Sequence, residues 1–483
     1  MRKLGAMLLA GLAVPAMAVR TATAGPEIQG PIAAAGVPGD PAHDYPFFAS
    51  NHGLAAHGYV EEEYFLKGSA QTYDVPDGKT AAVRDEGHPY LTRVVVRRPA
   101  DAKRFNGTVL VEWDNVTNQF DAENVWFFDW EHMMREGYAW VGVSAQTVGV
   151  AALRKWSPKR YGALDVSNHV ASSEAKPDAD AMSYDIFTQV GAALRHPGGV
   201  DLLGGLKPKH VIATGESQSA GRLATYANSI QPLAKAYDGF LLLSAVGRSM
   251  RPDLAAPVIK INTEHDVATG DAAIRQPDND RFRSWDVAGT SHVDQHLRAS
   301  REPLELRDNG VSLEAAMAPQ CAVPAVGTRV PTGYVVASAF DKLVAWSAGG
   351  PPPPKAPLLE MSAINPRPQQ SVVARDADGL AKGGIRLAEI AAPTQINYGL
   401  GKPSQAAVDS GIHGEAIGAG ACVRWGYSLD FSVAQLAAHY PTHAAYVAAV
   451  KNATGKALKA GFILPYDAAA TIRAAENSAI GRP

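Results

Sequence analysis

Short apolar runs bounded by Gly, Pro, Asn or Asp punctuate the chain as far as about residue 290. Residues 59–66, 90–97, 108–113 and 138–143 are rich in β-branched and aromatic side chains and predict strands, with a turn of Pro, Asn and Gly before residue 108. A polar, Pro-containing stretch over residues 156–180 leads into a predicted helix, because Ile186, Phe187, Val190 and Leu194 recur on one face; Pro197 ends it. Apolar runs return at 211–213, 239–243, 258–261 and 282–287, at intervals that leave room for crossover helices such as 223–230. This alternation predicts an α/β fold with a mostly parallel central sheet, helices on both faces, and antiparallel strands at its beginning.

Beyond His296 the pattern changes. A helical stretch from about residue 333 to 347 stops before four consecutive prolines at 351–354, residues 376–401 are Gly-rich and irregular, and helices resume over 432–439 and 443–460. No internal repeat is visible. The expected organisation is an N-terminal extension (19–55), a catalytic core (56–298) and a large helical or irregular C-terminal region (299–483) that wraps the core or lids a site.

The chemistry concentrates at Gly215-Glu216-Ser217-Gln218-Ser219, which follows the apolar run 211–213 and precedes Ala220-Gly221-Arg222-Leu223. This reads as a strand, a tight turn and a helix, a shape that exposes a serine both to a base and to backbone N–H groups. Ser217 and Ser219 both fall in near matches to Gly-x-Ser-x-Gly. The apolar run ends just before Gly215, which puts Ser217 at the apex and Ser219 in the first helical turn, where it is only required to be small; the alternative reading of the motif is a serine that merely caps the helix. The run 258–261 leads into Asn262-Thr263-Glu264-His265-Asp266-Val267, and Glu264 and Asp266 both qualify as the acid. The loop needs a few residues to turn a carboxylate back toward a histidine, which favours Asp266. His292 follows the last predicted strand on the small-residue loop Ala288-Gly289-Thr290-Ser291, so the order is Ser, acid, His. With an ordinary pKa near 6.5 it suits proton exchange at neutral pH. An oxyanion would be held by the backbone N–H of Gln218 and by one near Asn115, beyond the strand 108–113. Asn115-Val116-Thr117 is also a glycosylation sequon, a reading that its place at a strand end disfavours. His292 and His296 form a His-x-x-x-His pair with Asp294 between them, but the Glu of the zinc-protease helix is missing, so no metal is expected.

These motifs, together with Val111-Glu112-Trp113-Asp114-Asn115-Val116, Tyr184-Asp185-Ile186 and Asp378-Gly379 through Gly383-Gly384-Ile385-Arg386-Leu387, resemble the α/β-hydrolase superfamily. More narrowly the chain is similar to the bacterial family described as "alpha/beta hydrolase domain-containing protein", over most of residues 55–470. The resemblance implies a serine hydrolase fold with this triad and a family-specific C-terminal part, and little about substrate. Ser219 stands where the superfamily pattern usually has Gly.

Composition narrows the setting. Met1-Arg2-Lys3, the apolar stretch 4–14 and Ala16-Met17-Ala18 form an export signal, with a second cleavage possibility after Ala22-Thr23-Ala24. No segment reaches the roughly 20 apolar residues of a membrane-spanning helix. Loss of Arg2 and Lys3 leaves 43 basic against 48 acidic residues and takes the formal charge from −3 to −5. That acidity, with no basic cluster, argues against a nucleic-acid partner. Cys321 and Cys422 are the only cysteines, and in an exported chain a single disulfide is expected, two buried thiols being the alternative. Arg222, Arg386 and the aromatic stretch 126–130 either line a pocket or are exposed and packed side chains. The expected activity is hydrolysis of a small-molecule carboxylic ester through an acyl-enzyme, without a cofactor. The alternatives are a catalytically silent binding protein, a peptidase or an acyltransferase.

Overall fold

Nine strands form one sheet in the computed structural model, which describes residues 25–482 apart from 77, 168–178, 325, 367–369 and 411–418. The expected export signal and both of its cleavage points lie outside the described residues. The strands are β1 (Glu27–Gln29), β2 (Tyr59–Asp74), β3 (Ala82–Pro99), β4 (Thr108–Trp113), β5 (Ala139–Val143), β6 (His210–Glu216), β7 (Gly239–Leu243), β8 (Val258–Thr263) and β9 (Phe282–Val287). Their spatial order is β1-β2-β3-β5-β4-β6-β7-β8-β9, antiparallel through β5 and parallel from β5 to β9. Every residue of β4, β7 and β8 is buried, as parallel strands covered on both faces require.

The β2–β3 hairpin is longer than the apolar runs 59–66 and 90–97 predict. The first half of β3 is mostly exposed, so its ladder forms by local hairpin pairing and leaves no hydrophobic signature. β1 comes from the N-terminal extension and pairs with residues 65–67 of β2.

Helices α1 (Asn124–Glu136), α2 (Ser183–Arg195) and α3 (Gln218–Thr225) follow β4, precede β6 and follow β6, respectively. The predicted crossover helix at 223–230 in fact starts at Gln218, directly after Ser217, and passes into a π-turn over Tyr226–Ile230. Farther on lie α4 (Glu264–Thr269), α5 (Gln295–Asn309), α6 (Leu313–Met317), α7 (Thr332–Ser347), α8 (Ala419–Trp425), α9 (His443–Ala460) and α10 (Pro465–Asn477). α7 packs on β7 and β8, and Ile385 bridges to Val287 at the outer edge of β9. Cover for the sheet is therefore drawn from beyond residue 298, and one hydrophobic core includes side chains from Phe47 to Ala468.

Parallel strands deliver their C-terminal ends to one edge. β5 and β6 lie on opposite sides of β4, so the loops after β4 and β6 leave in opposite directions and open a crevice there. The segments carrying Asn115, Ser217, Asp266 and His292 follow β4, β6, β8 and β9 at that edge.

Candidate active site

Glu216 ends β6 and Gln218 begins α3, so Ser217 alone makes the turn, at φ 57° and ψ −117°. A non-glycine residue at positive φ is strained, and such strain persists only where neighbours enforce it. Here the Ser217 N–H donates to the Leu243 carbonyl at 2.9 Å, while Gly221 donates to the Ser217 carbonyl at 2.9 Å. Ser219 is fully buried and braces the turn from within: its hydroxyl donates to the Glu216 carbonyl at 2.9 Å and accepts from the Glu216 N–H at 3.1 Å. A Cβ on Gly215 would lie 2.9 Å from the Ser219 hydroxyl oxygen, so Gly215 gives that brace its room. Of the two serines, Ser217 faces the histidine and Ser219 faces the backbone.

His292 Nε2 lies 2.8 Å from Ser217 Oγ, and His292 Nδ1 lies 2.8 Å from Asp266 Oδ1. Asp266 is the third residue of α4 and forms a capping box with Thr263. Its Oδ2 accepts from the Thr263 N–H and hydroxyl, both at 2.7 Å, while the Thr263 hydroxyl receives the Asp266 N–H. The helix cap thus fixes one carboxylate oxygen and presents the other to the imidazole. Burial opposes ionisation of Asp266, yet His292 and the adjacent His265, 3.1 Å away, hold its pKa well below the usual carboxylate range.

Glu264 does not meet His292. Its buried carboxylate pairs with Arg375 and accepts from the N–H groups of Gly289 at 3.1 Å and Gly399 at 3.3 Å. The expectation that Glu264 is an alternative triad acid is corrected accordingly: from the first position of α4 it joins the histidine loop to the C-terminal region. That loop is held on its other side too, where Ser291 N–H donates to the Thr328 hydroxyl at 3.0 Å and Val293 N–H to the Arg424 carbonyl at 3.2 Å.

Glu216 belongs to the nucleophile motif, but sequence reasoning gave it no role. Its buried Oε1 lies 3.1 Å from His292 Nε2, the nitrogen that faces Ser217. Asn124 donates to Oε2 at 2.8 Å, and the Asn115 amide donates to the Glu216 carbonyl at 2.7 Å, so one side chain from the start of α1 and one from the loop after β4 aim it. Burial pushes the pKa of His292 down, but Glu216 and Asp266 outweigh it, and the net shift is upward. The pKa of Glu216 is itself raised, chiefly by burial.

Gln218 opens α3, so its backbone N–H has no partner within the helix and lies next to Ser217. The expected second donor is an N–H near Asn115, and that of Asn115 itself is engaged. Asn115 N–H donates to the Ala122 carbonyl at 2.8 Å, whereas Val116, next in the same loop, has an N–H without an acceptor among the described residues. Asn115 is 2 % exposed and its amide is engaged with Glu216, which removes the sequon reading.

Ser217 and His292 lie between two cavities. The smaller, about 30 Å³, has Leu297, Leu313, Met317 and Trp425 among its walls; the larger, about 600 Å³, runs along α3 past Arg222. Arg386 is elsewhere, bonding to the carbonyls of Ala381 and Ile390. Trp126, Phe127 and Phe128 are core residues, with Trp126 stacked against Arg97. Among the described residues, His265, Asp266 and His292 are the side chains close enough to share a metal ion. Their mutual hydrogen bonds already account for that proximity. His296 turns away to Glu131 at 3.3 Å, and Asp294 caps α5, so the His-x-x-x-His pair does not converge.

Cys321 and Cys422 are bonded, with Cα atoms 5.5 Å apart. No helix among the described residues is long and apolar enough to cross a membrane.

The family model described as "Alpha/beta hydrolase domain" matches residues 28–473. Compared by sequence, no curated protein matches. Among solved structures, XC6422 from Xanthomonas campestris, an α/β serine hydrolase without a lid, is 12 % identical, with 50 % of this chain and 93 % of that one covered at a TM-score of 0.28. Esterase Est22 is 13 % identical, with 44 % and 67 % covered at 0.27. Acetyl xylan esterase 1 from Thermoanaerobacterium sp. JW/SL YS485 is 15 % identical, with 38 % and 47 % covered at 0.22. Scores of this size carry no argument about substrate.

Proposed function

The chain belongs to the alpha/beta hydrolase domain family, and from that premise we propose that it is an exported serine hydrolase that cleaves carboxylic esters through an acyl-enzyme. The observation that carries this reading is the hydrogen-bonded series from Ser217 Oγ to His292 to Asp266, 2.8 Å at each step, at the apex of a strained turn.

In this scheme His292 Nδ1–H donates to Asp266 and leaves Nε2 to accept the Ser217 proton. Ser217 Oγ forms a bond to the acyl carbon. The carbonyl oxygen takes the negative charge, facing the N–H groups of Gln218 and the loop after β4. Collapse breaks the bond to the leaving oxygen, which takes the proton from Nε2 and departs as the alcohol. Water then attacks the acyl-enzyme, giving its proton to His292, and Ser217 regains a proton as the acid leaves. Glu216 stabilises the imidazolium that forms twice in this cycle and exchanges no proton in it. The scheme uses no cofactor.

A fluorophosphonate probe and p-nitrophenyl esters test the proposal. Wild type should label and turn over, and Ser217→Ala should do neither. Labelling retained in Ser217→Ala but lost in Ser219→Ala would move the nucleophile; no labelling and intact esters would favour a silent binding protein. Amides cleaved as fast as esters would make it a peptidase, and acyl transfer outpacing hydrolysis when an acceptor alcohol is added would make it an acyltransferase. Export is supported by the sequence of residues 1–18 and fits the Cys321–Cys422 bond. Mass spectrometry of the protein recovered outside the cytoplasm should find the N-terminus within residues 19–25; an intact Met1 there, or wholly cytoplasmic protein, would refute it.

A further inference from the structure

Two imidazoles share one oxygen of the triad acid. Asp266 Oδ1 lies 2.8 Å from His292 Nδ1 and 3.1 Å from Nδ1 of His265, the residue before it on α4. The ring centroids of the two histidines are 5.0 Å apart. Oδ2 is filled by the Thr263 N–H and hydroxyl. All three ionisable side chains are buried: Asp266 is 0 % exposed, His292 3 % and His265 6 %. The reaction scheme above uses His292 and gives His265 no task.

The chemistry of the acceptor fixes the tautomer. An ionised carboxylate only accepts, so His265 Nδ1 must carry a proton to bond it. Burial and the nearby His292 oppose a second proton on His265, and its Nε2 has no partner among the described residues. His265 is therefore a neutral donor, with its ring at the wall of the larger cavity.

A hydrogen bond donated to a carboxylate stabilises its charge and makes it a weaker acceptor for the next donor. His292 feels this directly because its bond ends on the same oxygen. Glu216, 3.1 Å from Nε2, and Asp266 both favour the imidazolium, yet the reaction begins only from a neutral Nε2 that takes the Ser217 proton. A second N–H on Oδ1 limits that bias and holds Oδ1 where His292 meets it.

The other charges around the group make no contact with Oδ1 among the described residues. Arg424 of α8 disfavours protonation of both imidazoles. Against α4, Asp271 is bound by Lys260 of β8 at 2.9 Å, Asp286 of β9 by Arg275 at 3.0 Å, and Glu264 by Arg375. Arg222 and Arg248 line the cavity that His265 shares, and Arg301 lines the smaller one.

We propose that His265 is a positioning residue of the triad: as a neutral second donor to Asp266 Oδ1 it orients that oxygen and offsets the negative charge that Asp266 and Glu216 direct at His292. Its part in turnover rests on the hydrolase reading above; the shared oxygen rests on the geometry alone.

NMR of protein labelled with nitrogen-15 at its histidines, together with steady-state kinetics, tests the proposal. In wild type at neutral pH, long-range proton–nitrogen correlations should show His265 as the Nδ1–H tautomer, assigned by its loss in His265→Asn. His265→Leu removes the donor, so the carboxylate favours the imidazolium more strongly. The His292 titration, and with it the acid limb of kcat/KM, should move to higher pH by about 0.5 to 1 unit, the equivalent of one net hydrogen bond. At neutral pH kcat should fall while KM changes little. His265→Asn, whose amide N–H can stand in for Nδ1–H, should keep the limb near its wild-type position, and Glu216→Gln added to His265→Leu should bring it back down. An Nε2–H or charged His265, a His292 titration unmoved in His265→Leu, or an equal shift in His265→Asn would overturn the proposal. The tautomer is read on wild type, so the test stands whether or not His265→Leu folds. The spectra need no substrate, which separates the two claims. A shifted titration in a protein that cleaves no probe ester and takes no fluorophosphonate would end the hydrolase reading and keep the shared oxygen; turnover with an unmoved titration would do the reverse.

Discussion

Nε2 of His292 faces both the Ser217 hydroxyl and a Glu216 oxygen, and these neighbours favour different protonation states. The hydroxyl needs a neutral nitrogen that accepts; the carboxylate favours an imidazolium that donates. Because Glu216 and Asp266 together raise the His292 pKa against the effect of burial, the acid limb of kcat/KM should lie above the ordinary histidine range. The sign for Glu216→Gln follows: removing a negative charge lowers the His292 pKa, so the limb moves to lower pH. Plateau kcat/KM should fall by about tenfold, about 1.4 kcal/mol of transition-state stabilisation. A pH–rate profile checks both parts, and a limb that stays in place would deny Glu216 any electrostatic role. The two acids of the 264–266 segment separate in the same assays. Asp266→Asn should lower kcat by about 10⁴-fold, as loss of an orienting triad carboxylate does elsewhere. Glu264→Gln should instead lower stability by about 1 to 3 kcal/mol by weakening a buried contact, read from chemical denaturation. Sequence alone left these acids open because a single residue lies between them and both are ionisable. What distinguishes them is their position on α4, and Thr263-x-x-Asp266 is a capping pattern that was readable.

At the scale of elements, the parallel half of the sheet was legible because strands buried on both faces are mostly apolar, as β7 is throughout and β4 is apart from Thr108 and Glu112. The outer half of the β2–β3 hairpin was not, since pairing there is satisfied by backbone groups that any side chain permits. That the N–H of Asn115 itself is taken was not legible for a related reason: the Asn115–Ala122 bridge consumes it, and backbone bridges within loops carry no side-chain signal. Glu216 was missed because its partner His292 is distant in sequence, and only the turn at Ser217 brings the two together. α4 shows how a local element can govern catalysis. Thr263→Val removes the hydroxyl that receives the Asp266 N–H and donates to its carboxylate. It should destabilise the protein by about 1 kcal/mol, the usual worth of a cap. It should also free Asp266 to rotate, so kcat should fall while KM changes little. Denaturation midpoints and steady-state kinetics on one variant measure both, and a stability loss with kcat intact would show that the cap does not orient the triad.

Over the whole molecule, the C-terminal region encloses the site as well as the core. α6 and α8 face each other across the smaller cavity, contributing Leu313 and Met317 from one and Arg424 and Trp425 from the other. The Cys321–Cys422 bond joins the segment after α6 to α8 itself, across a sequence separation of 101. Backbone bonds flank it: Ala322 N–H donates to the Lys402 carbonyl at 2.8 Å, and Gly401 N–H to the Val423 carbonyl at 2.9 Å. Closing a loop of that length stabilises by up to about 4.7 kcal/mol where the chain-entropy account holds. Ser217 and Asp266 are placed by the sheet edge and by α4, and the His292 loop, besides its bond to the Arg424 carbonyl, is held by Glu264 and Thr328. The double variant Cys321→Ser/Cys422→Ser should therefore keep its fluorophosphonate labelling, lose thermal stability, and show a raised KM as Arg424 and Trp425 lose their fixed place. Reduction of the wild type with dithiothreitol should reproduce all three effects. Limited proteolysis should cut first between residues 310 and 425. If reduced and oxidised protein share one melting temperature and one KM, the bond does not organise the entrance, and the shape of the cavity must be attributed to the packing of the C-terminal helices alone.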